Sequence, residues 1–156
     1  MSSTGFVYVT YIATTPERLW QALTDGNLSR EYWGGRAVES DWRPGSSVLF
    51  RKIDGEPDMV RAKVLEARPP GHLVLSWTYR SAPGAAPPPA SRVSYTIEPA
   101  GAGEAKLTVT HEEFEAGSEV DERLRNGWPA ILSSLKSFLE TGEALEVTKR
   151  WAREGI

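Results

Sequence analysis

The stretch Gly127–Gly142, GWPAILSSLKSFLETG, decides the fold of this 156-residue chain. Together with the residues just before it, it carries Val120, Leu124, Trp128, Ile131, Leu132, Leu135, Phe138 and Leu139 at three- and four-residue steps. That period lines up one face of a helix. Ser118 precedes the pattern as an N-cap, Asp121 and Glu122 favour the positive end of the helix dipole, and Gly142 closes it as a C-cap. Pro129 sits inside the pattern, where it removes an amide donor and clashes with the preceding turn. A kink or break is therefore expected near Arg125–Trp128, with Trp128 at the mouth of any pocket and Gly127 permitting close approach of helix to sheet. A long one-faced helix needs a large apolar surface to cover, and the segments before it supply one.

Those segments read as a strand at 5–13, a helix opened by Thr14-Thr15-Pro16-Glu17 and ended at Asp25-Gly26, and a second short helix at 27–33. Strands follow at 36–40, 47–53, 58–68, 72–80, 91–99 and 104–113. Turn signals separate them: Arg43-Pro44-Gly45, Asp54-Gly55-Glu56-Pro57, Pro69-Pro70-Gly71 and Gly101-Ala102-Gly103. The Pro/Ala-rich segment 81–91 reads as a long mobile or polyproline-like loop. Alternation puts Leu73, Leu75, Trp77 and Tyr79 on one face, with Val93, Tyr95 and Ile97, and with Leu107, Val109 and His111. Consecutive strands with short connections predict an antiparallel meander. One apolar sheet face plus one long apolar helix is an α+β two-layer arrangement.

The order β-α-α-β(six strands)-α resembles the helix-grip fold of the START-like, or SRPBCC, superfamily. TTPERLWQALTDGNLSREYWG looks like its entry region, WRPGSSVLF like its Pro-Gly turn into a strand, and VLEARPPGHLVLSW like its strand–turn–strand hairpin. LTVTHEEF followed by GWPAILSSLKSFLETG is similar to its last strand and closing helix. The combination resembles the branch named after the C-terminal domain of the activator of the heat-shock protein 90 ATPase, over residues 6–142. It implies one START-like domain over 1–156, with about seven strands curved around the C-terminal helix and a cavity between them. Superfamily members include lipid carriers, hormone receptors and polyketide cyclases. The tail, residues 143–156, either extends the helix or packs on a partner subunit in a homodimer; Leu145, Val147 and Trp151 are its apolar residues.

Composition narrows the function. A net charge of -3 gives no footprint for nucleic acid or an anionic membrane. Cysteine is absent, so no thiol nucleophile, thiolate metal site or disulfide framework is available. No apolar run is long enough for a membrane helix, and MSSTGFVYVT lacks the features of a signal peptide, so a cytoplasmic location is expected. No cofactor is implied. His72 and His111 do not form a metal motif with Glu112 and Glu113, because adjacent strand residues point apart. No nucleophile elbow is present, so Ser133 and Ser134 read as ordinary helix residues.

The candidate site is therefore a binding cavity. Trp33, Trp42, Phe50, Leu75, Trp77, Tyr79, Tyr95, His111, Trp128 and Leu132 are the candidate lining residues for a small, mostly apolar organic molecule. Each has an alternative reading as core packing. A volume of roughly 300–1,000 Å³ is expected, with Trp77, Tyr79, Tyr95 and Trp128 among the walls. His111 is the sharpest polar candidate: an inward imidazole either anchors a ligand and moves protons, or is a structural histidine held by an internal partner. No catalytic constellation is visible; His111 would be the acid or base if there is one. Arg36, Arg51, Arg61 and Arg92 read as solvated strand charges, one of which could anchor a ligand carboxylate. A cyclase- or hydrolase-type enzyme using the same cavity, and a co-chaperone-like interaction module, are the alternatives to a binder.

Overall fold

The computed structural model describes residues 4–80, 83–86 and 89–155. Much of the loop expected at 81–91 lies outside the described residues. In chain order the elements are β1 (Thr4–Ile12), α1 (Pro16–Thr24), α2 (Gly26–Tyr32), β2 (Ala37–Glu39), β3 (Ser47–Arg51) and β4 (Pro57–Arg68). They continue with β5 (His72–Tyr79), β6 (Ser91–Gly101), β7 (Glu104–Phe114), α3 (Glu119–Thr141) and α4 (Glu146–Glu154). The seven strands form one antiparallel sheet in the order β1-β7-β6-β5-β4-β3-β2. β2 to β7 are a meander. β1 returns to the far edge beside β7, so α1 and α2 carry the chain from one edge of the sheet to the other.

The local chemistry explains the elements. Thr15 caps α1, its hydroxyl accepting from the Arg18 amide with Pro16 in the first turn. Alternation holds along β6 and β7, where Val93, Tyr95, Ile97, Ala105, Leu107, Val109 and His111 are all buried. Leu73, Leu75 and Trp77 of β5 share that face, and Leu124, Trp128, Leu132 and Leu135 of α3 pack onto it. The curved sheet wrapped around α3 is the helix-grip architecture expected from the sequence.

Four features depart from the expectations. α3 runs unbroken through Pro129. Trp128, Ile131 and Leu132 anchor both sides of the proline in the core, and Arg125, whose carbonyl loses its partner, lies on the exposed side of the helix. Gly127 does not permit close approach to the sheet: a Cβ built there meets nothing within 4 Å. The tail does not extend α3. It turns at Gly142, with φ of 87°, and folds back as α4. Ser134, not an ordinary helix residue, is the socket for that return: its hydroxyl meets Thr148 Oγ1 at 2.8 Å and accepts from the Leu145 amide at 3.2 Å.

α4 lands on the Gly34–Gly35 turn. Gly34 has φ of 62°, and a Cβ there would stand 3.3 Å from Trp151; at Gly35, with φ of 81°, it would strike Ile53 at 2.8 Å. Both positions need glycine for backbone hand and for space. Ser29, fully buried, fixes the approach to this turn by donating to the Arg36 carbonyl and accepting from the Val38 amide.

A bulge ends β7. The register of β1 against β7 shifts between Thr4 and Gly5, and Glu113 takes φ of 65°. Without it, strict alternation would turn Phe114 away from the core. With it, Phe114 is buried and its ring meets the His111 ring edge-on at 5.7 Å.

Candidate functional site

A cavity of about 360 Å³ lies between the sheet and α3, within the range of small-molecule sites. β4 contributes Asp58 and Val60, and β5 contributes Trp77 and Tyr79. α3 contributes Arg123, Leu124, Asn126, Gly127, Trp128 and Ile131; Trp33 and Arg36 come from the turn after α2, and Trp151 from α4. The alternation of β5 sends both Trp77 and Tyr79 inward, and the helical period sends Leu124, Trp128 and Ile131 toward them.

The ten candidate residues divide into walls and backing. Trp33, Trp77, Tyr79 and Trp128 line the cavity. Tyr95 does not: it is buried behind Trp128, its ring edge-on at 6.0 Å. Phe50 is sandwiched between Trp33 and Trp77, at 5.0 and 5.4 Å, as the second layer of the wall. Leu75 and Leu132 are core residues deeper in the same layer. Trp42 is spent elsewhere, its indole N–H donating to the Thr24 carbonyl that ends α1. Sequence parity identifies the face of a side chain, but not whether another ring lies in front of it.

His111 faces inward and is completely buried, but it is not free. The Trp128 indole N–H can only donate, and it does so to His111 Nδ1 at 3.0 Å. The proton of the neutral imidazole is thereby assigned to Nε2, which meets Ser91 Oγ at 2.7 Å. The Ser91 hydroxyl in turn donates to the Trp77 carbonyl at 3.0 Å. Burial lowers the imidazole pKa to about 4, so the ring is neutral near pH 7. Both nitrogens of His111 are therefore held by protein partners. Its anchors are Ser91 and Trp128.

The polar groups that do reach the cavity were missed or discounted in the sequence. Arg36 is not a solvated strand charge. It pairs with Asp58 across the cavity wall, with side-chain exposures of 13% and 18%, and also donates to the Gly34 carbonyl. Arg123 pairs with Glu119 and lays its guanidinium over the Tyr79 ring at 5.4 Å. By contrast, Arg51 pairs with Glu39 at the sheet edge, and Arg61 and Arg92 are exposed. The one sequence signal for Arg36 was its place next to Gly34–Gly35, where a turn returns the chain to the sheet.

Among the described residues, the Trp77 indole nitrogen is one of two buried side-chain polar atoms with no hydrogen-bond partner, Thr14 Oγ1 being the other. The Tyr79 phenol is near enough for that N–H to oppose a rise in its pKa, yet the geometry closes no bond; burial dominates and raises the phenol. Tyr79 therefore stays protonated near neutral pH. His72 lies on the opposite face from His111, pairing with Glu66 at 3.2 Å, so the two histidines cannot share a metal. Among the described residues no group of His, Cys, Asp or Glu converges for metal binding, and no helix is long and apolar enough to cross a membrane.

The family model described as Activator of Hsp90 ATPase homolog 1-like protein matches residues 13–140. No curated protein matches the sequence. Among solved structures, the chain is similar to an HSP90 activator from Plasmodium falciparum, PFC0360w, with 22% identity, 86% of this chain and 95% of that one covered, and a TM-score of 0.70. It is similar to the Aha1 dimer from Colwellia psychrerythraea, with 20% identity, coverage of 90% and 99%, and a TM-score of 0.71. DynU16, a protein of the dynemicin biosynthetic locus, has 20% identity and a TM-score of 0.70, with 90% of this chain and 48% of that one covered. Likeness at these identities is likeness of fold. The chain belongs to the Activator of Hsp90 ATPase homolog 1-like family.

Proposed function

We propose that this family member binds a small, mostly apolar organic molecule in the cavity between β4–β5 and α3. The observation that carries the reading is the cavity of about 360 Å³ walled by Trp33, Trp77, Tyr79 and Trp128. Aromatic walls with a few polar groups at the rim suit a ligand that is largely desolvated on binding. The similarity to a protein of a biosynthetic locus supports an organic metabolite as occupant. Binding without turnover is favoured over a cyclase or hydrolase because His111 is neutral and engaged at both nitrogens. The chain acts as one START-like domain in the cytoplasm, with a small molecule rather than nucleic acid or membrane as its partner. A homodimer is its assembly by similarity to the Colwellia protein.

Gly127 supplies the decisive variant. It lines the cavity, and a Cβ there meets nothing within 4 Å, so Gly127→Leu starts a side chain from an open position at the cavity. Helix propensity predicts that this substitution stabilises α3 by about 0.5–1 kcal/mol. Native mass spectrometry of freshly purified parent protein should show a co-purified small molecule that the variant has lost. A parent carrying no such molecule, or a variant that retains it, refutes the cavity as the site.

A further inference from the structure

The charged residues of the cavity lining do not balance. They are Arg36, Asp58 and Arg123. Arg36 and Asp58 pair with each other in the wall and cancel, so Arg123 stands as one excess positive charge beside an apolar pocket. Its partner Glu119, four residues back on α3, is 77% exposed and takes no part in the lining. An exposed pair of this kind is weak and is screened by salt. Nor does Glu119 saturate the guanidinium. It receives Nε at 3.1 Å and Nη2 at 2.8 Å on a single oxygen. Among the described residues, the contact of Nη1 is the Met59 sulfur at 3.9 Å, a weak acceptor. The Arg123 side chain is 41% exposed, so a ligand in the cavity mouth can reach it. It is also held in place, with the guanidinium over the Tyr79 ring at 5.4 Å. The Tyr79 phenol, kept protonated by burial, is near enough to feel that charge.

Resting on the cavity reading above, we propose that the ligand is an apolar monocarboxylic acid, whose body lies among Trp33, Trp77, Trp128 and Ile131 and whose carboxylate displaces Glu119 from Arg123 at the rim. A carboxylate can take two parallel N–H···O bonds from a guanidinium, one to each oxygen, where Glu119 engages one oxygen. Glu119, being exposed, turns to solvent when it is displaced. An uncharged ligand leaves the excess charge unmatched, and an ammonium group meets a like charge at the rim. One excess charge matches one carboxylate, whereas a phosphate monoester brings more than one.

The matched pair 2-naphthoic acid and 2-naphthamide tests this, since the two share body and shape and differ in charge. In calorimetric titration of the full chain at neutral pH and low salt, the acid should bind about tenfold more tightly, the worth of one charge-assisted pair at a half-exposed rim. Arg123→Gln keeps a polar side chain of good helix propensity and should bring the two affinities together. Glu119→Gln removes the competing carboxylate and should tighten the acid alone, by about twofold. Gly127→Leu should abolish binding of both compounds. Equal affinities in the parent, or a preference for the acid that survives Arg123→Gln, overturn the assignment and leave the cavity reading intact. A preference that survives Gly127→Leu puts the anion outside the cavity and overturns the assignment as well. If neither compound binds the parent, the assignment falls, and loss of the co-purified molecule from Gly127→Leu still judges the cavity by itself.

Discussion

Two indoles in van der Waals reach of each other, Trp77 and Trp128, have opposite polar environments. Trp128 starts a chain of hydrogen bonds through His111 and Ser91 to the Trp77 carbonyl. Trp77, whose backbone ends that chain, has an indole N–H that joins nothing. One half of the helix–sheet interface is thus closed, with the Trp128 and His111 ring nitrogens and the Ser91 hydroxyl all paired. The other half borders the cavity and holds a buried donor with no partner among the described residues. The difference is positional: β7 brings His111 within reach of Trp128, while β4 offers Val60 and Ala62 on the other flank of β5, with nothing to accept. Polar satisfaction stabilises the first region, while the second carries an unpaired buried donor.

The most destructive way to break the comparison is Trp128→Ala. The ring is 3% exposed and touches Trp33, Trp77, Tyr95 and His111, so its loss should cost about 3–5 kcal/mol in denaturant unfolding. A loss below about 1 kcal/mol would mean that the ring gates the cavity instead of holding α3 to the sheet.

Within the helix–sheet interface, acid should act on the closed half through His111. The folded imidazole pKa is about 4 against an ordinary 6.5, so between those values the unfolded chain binds the proton more readily. The stability contributed by neutral His111 is complete above about pH 6.5. It drains away as pH falls toward 4, by up to about 3 kcal/mol. His111→Gln keeps an acceptor for Trp128 and a donor for Ser91, so unfolding measured across this window should lose that limb of the pH dependence. An unchanged profile in the variant would assign the acid sensitivity to another group.

The sharpest contrast comes from one substitution made twice. Trp128→Phe strands His111 Nδ1 and should cost about 2 kcal/mol. Trp77→Phe strands nothing, and the small loss of ring volume should be largely offset by removing an unpaired donor, leaving stability within about 1 kcal/mol of the parent. Equal losses in parallel chemical denaturation would erase the distinction between the two halves.

The fold was legible because it rests on periodicity. The 3.6-residue stripe of α3 and the alternation of β5 to β7 needed no knowledge of long-range neighbours. The candidate site was legible only in part, for the opposite reason. Parity put His111 inward but did not reveal Ser91, 20 residues away, or Trp128, 17 residues away, as its partners. Tyr95 and Phe50 point the right way but stand behind other rings. Arg36 acquires its role from Asp58, 22 residues on, and the tail acquires its place from two glycines near residue 34. The expected break at Pro129 overweighted one lost hydrogen bond against the packing on both sides of it. Where function depends on which of two buried groups finds a partner, local pattern is silent.

The bonded chain from Trp128 to Ser91 also bears on how such a sequence changes over generations. Altering one of its three members strands a buried polar atom, while exchanging Trp128 and His111 together for apolar residues of similar bulk strands none in the pair. Descent through single steps must therefore cross a valley of reduced stability, and the members should be inherited as a block. Tyr79 and Arg123 belong to no such block. Lineages that acquire new ligands should record the acquisition at the cavity rim, against a fixed background of Ser91, His111 and Trp128.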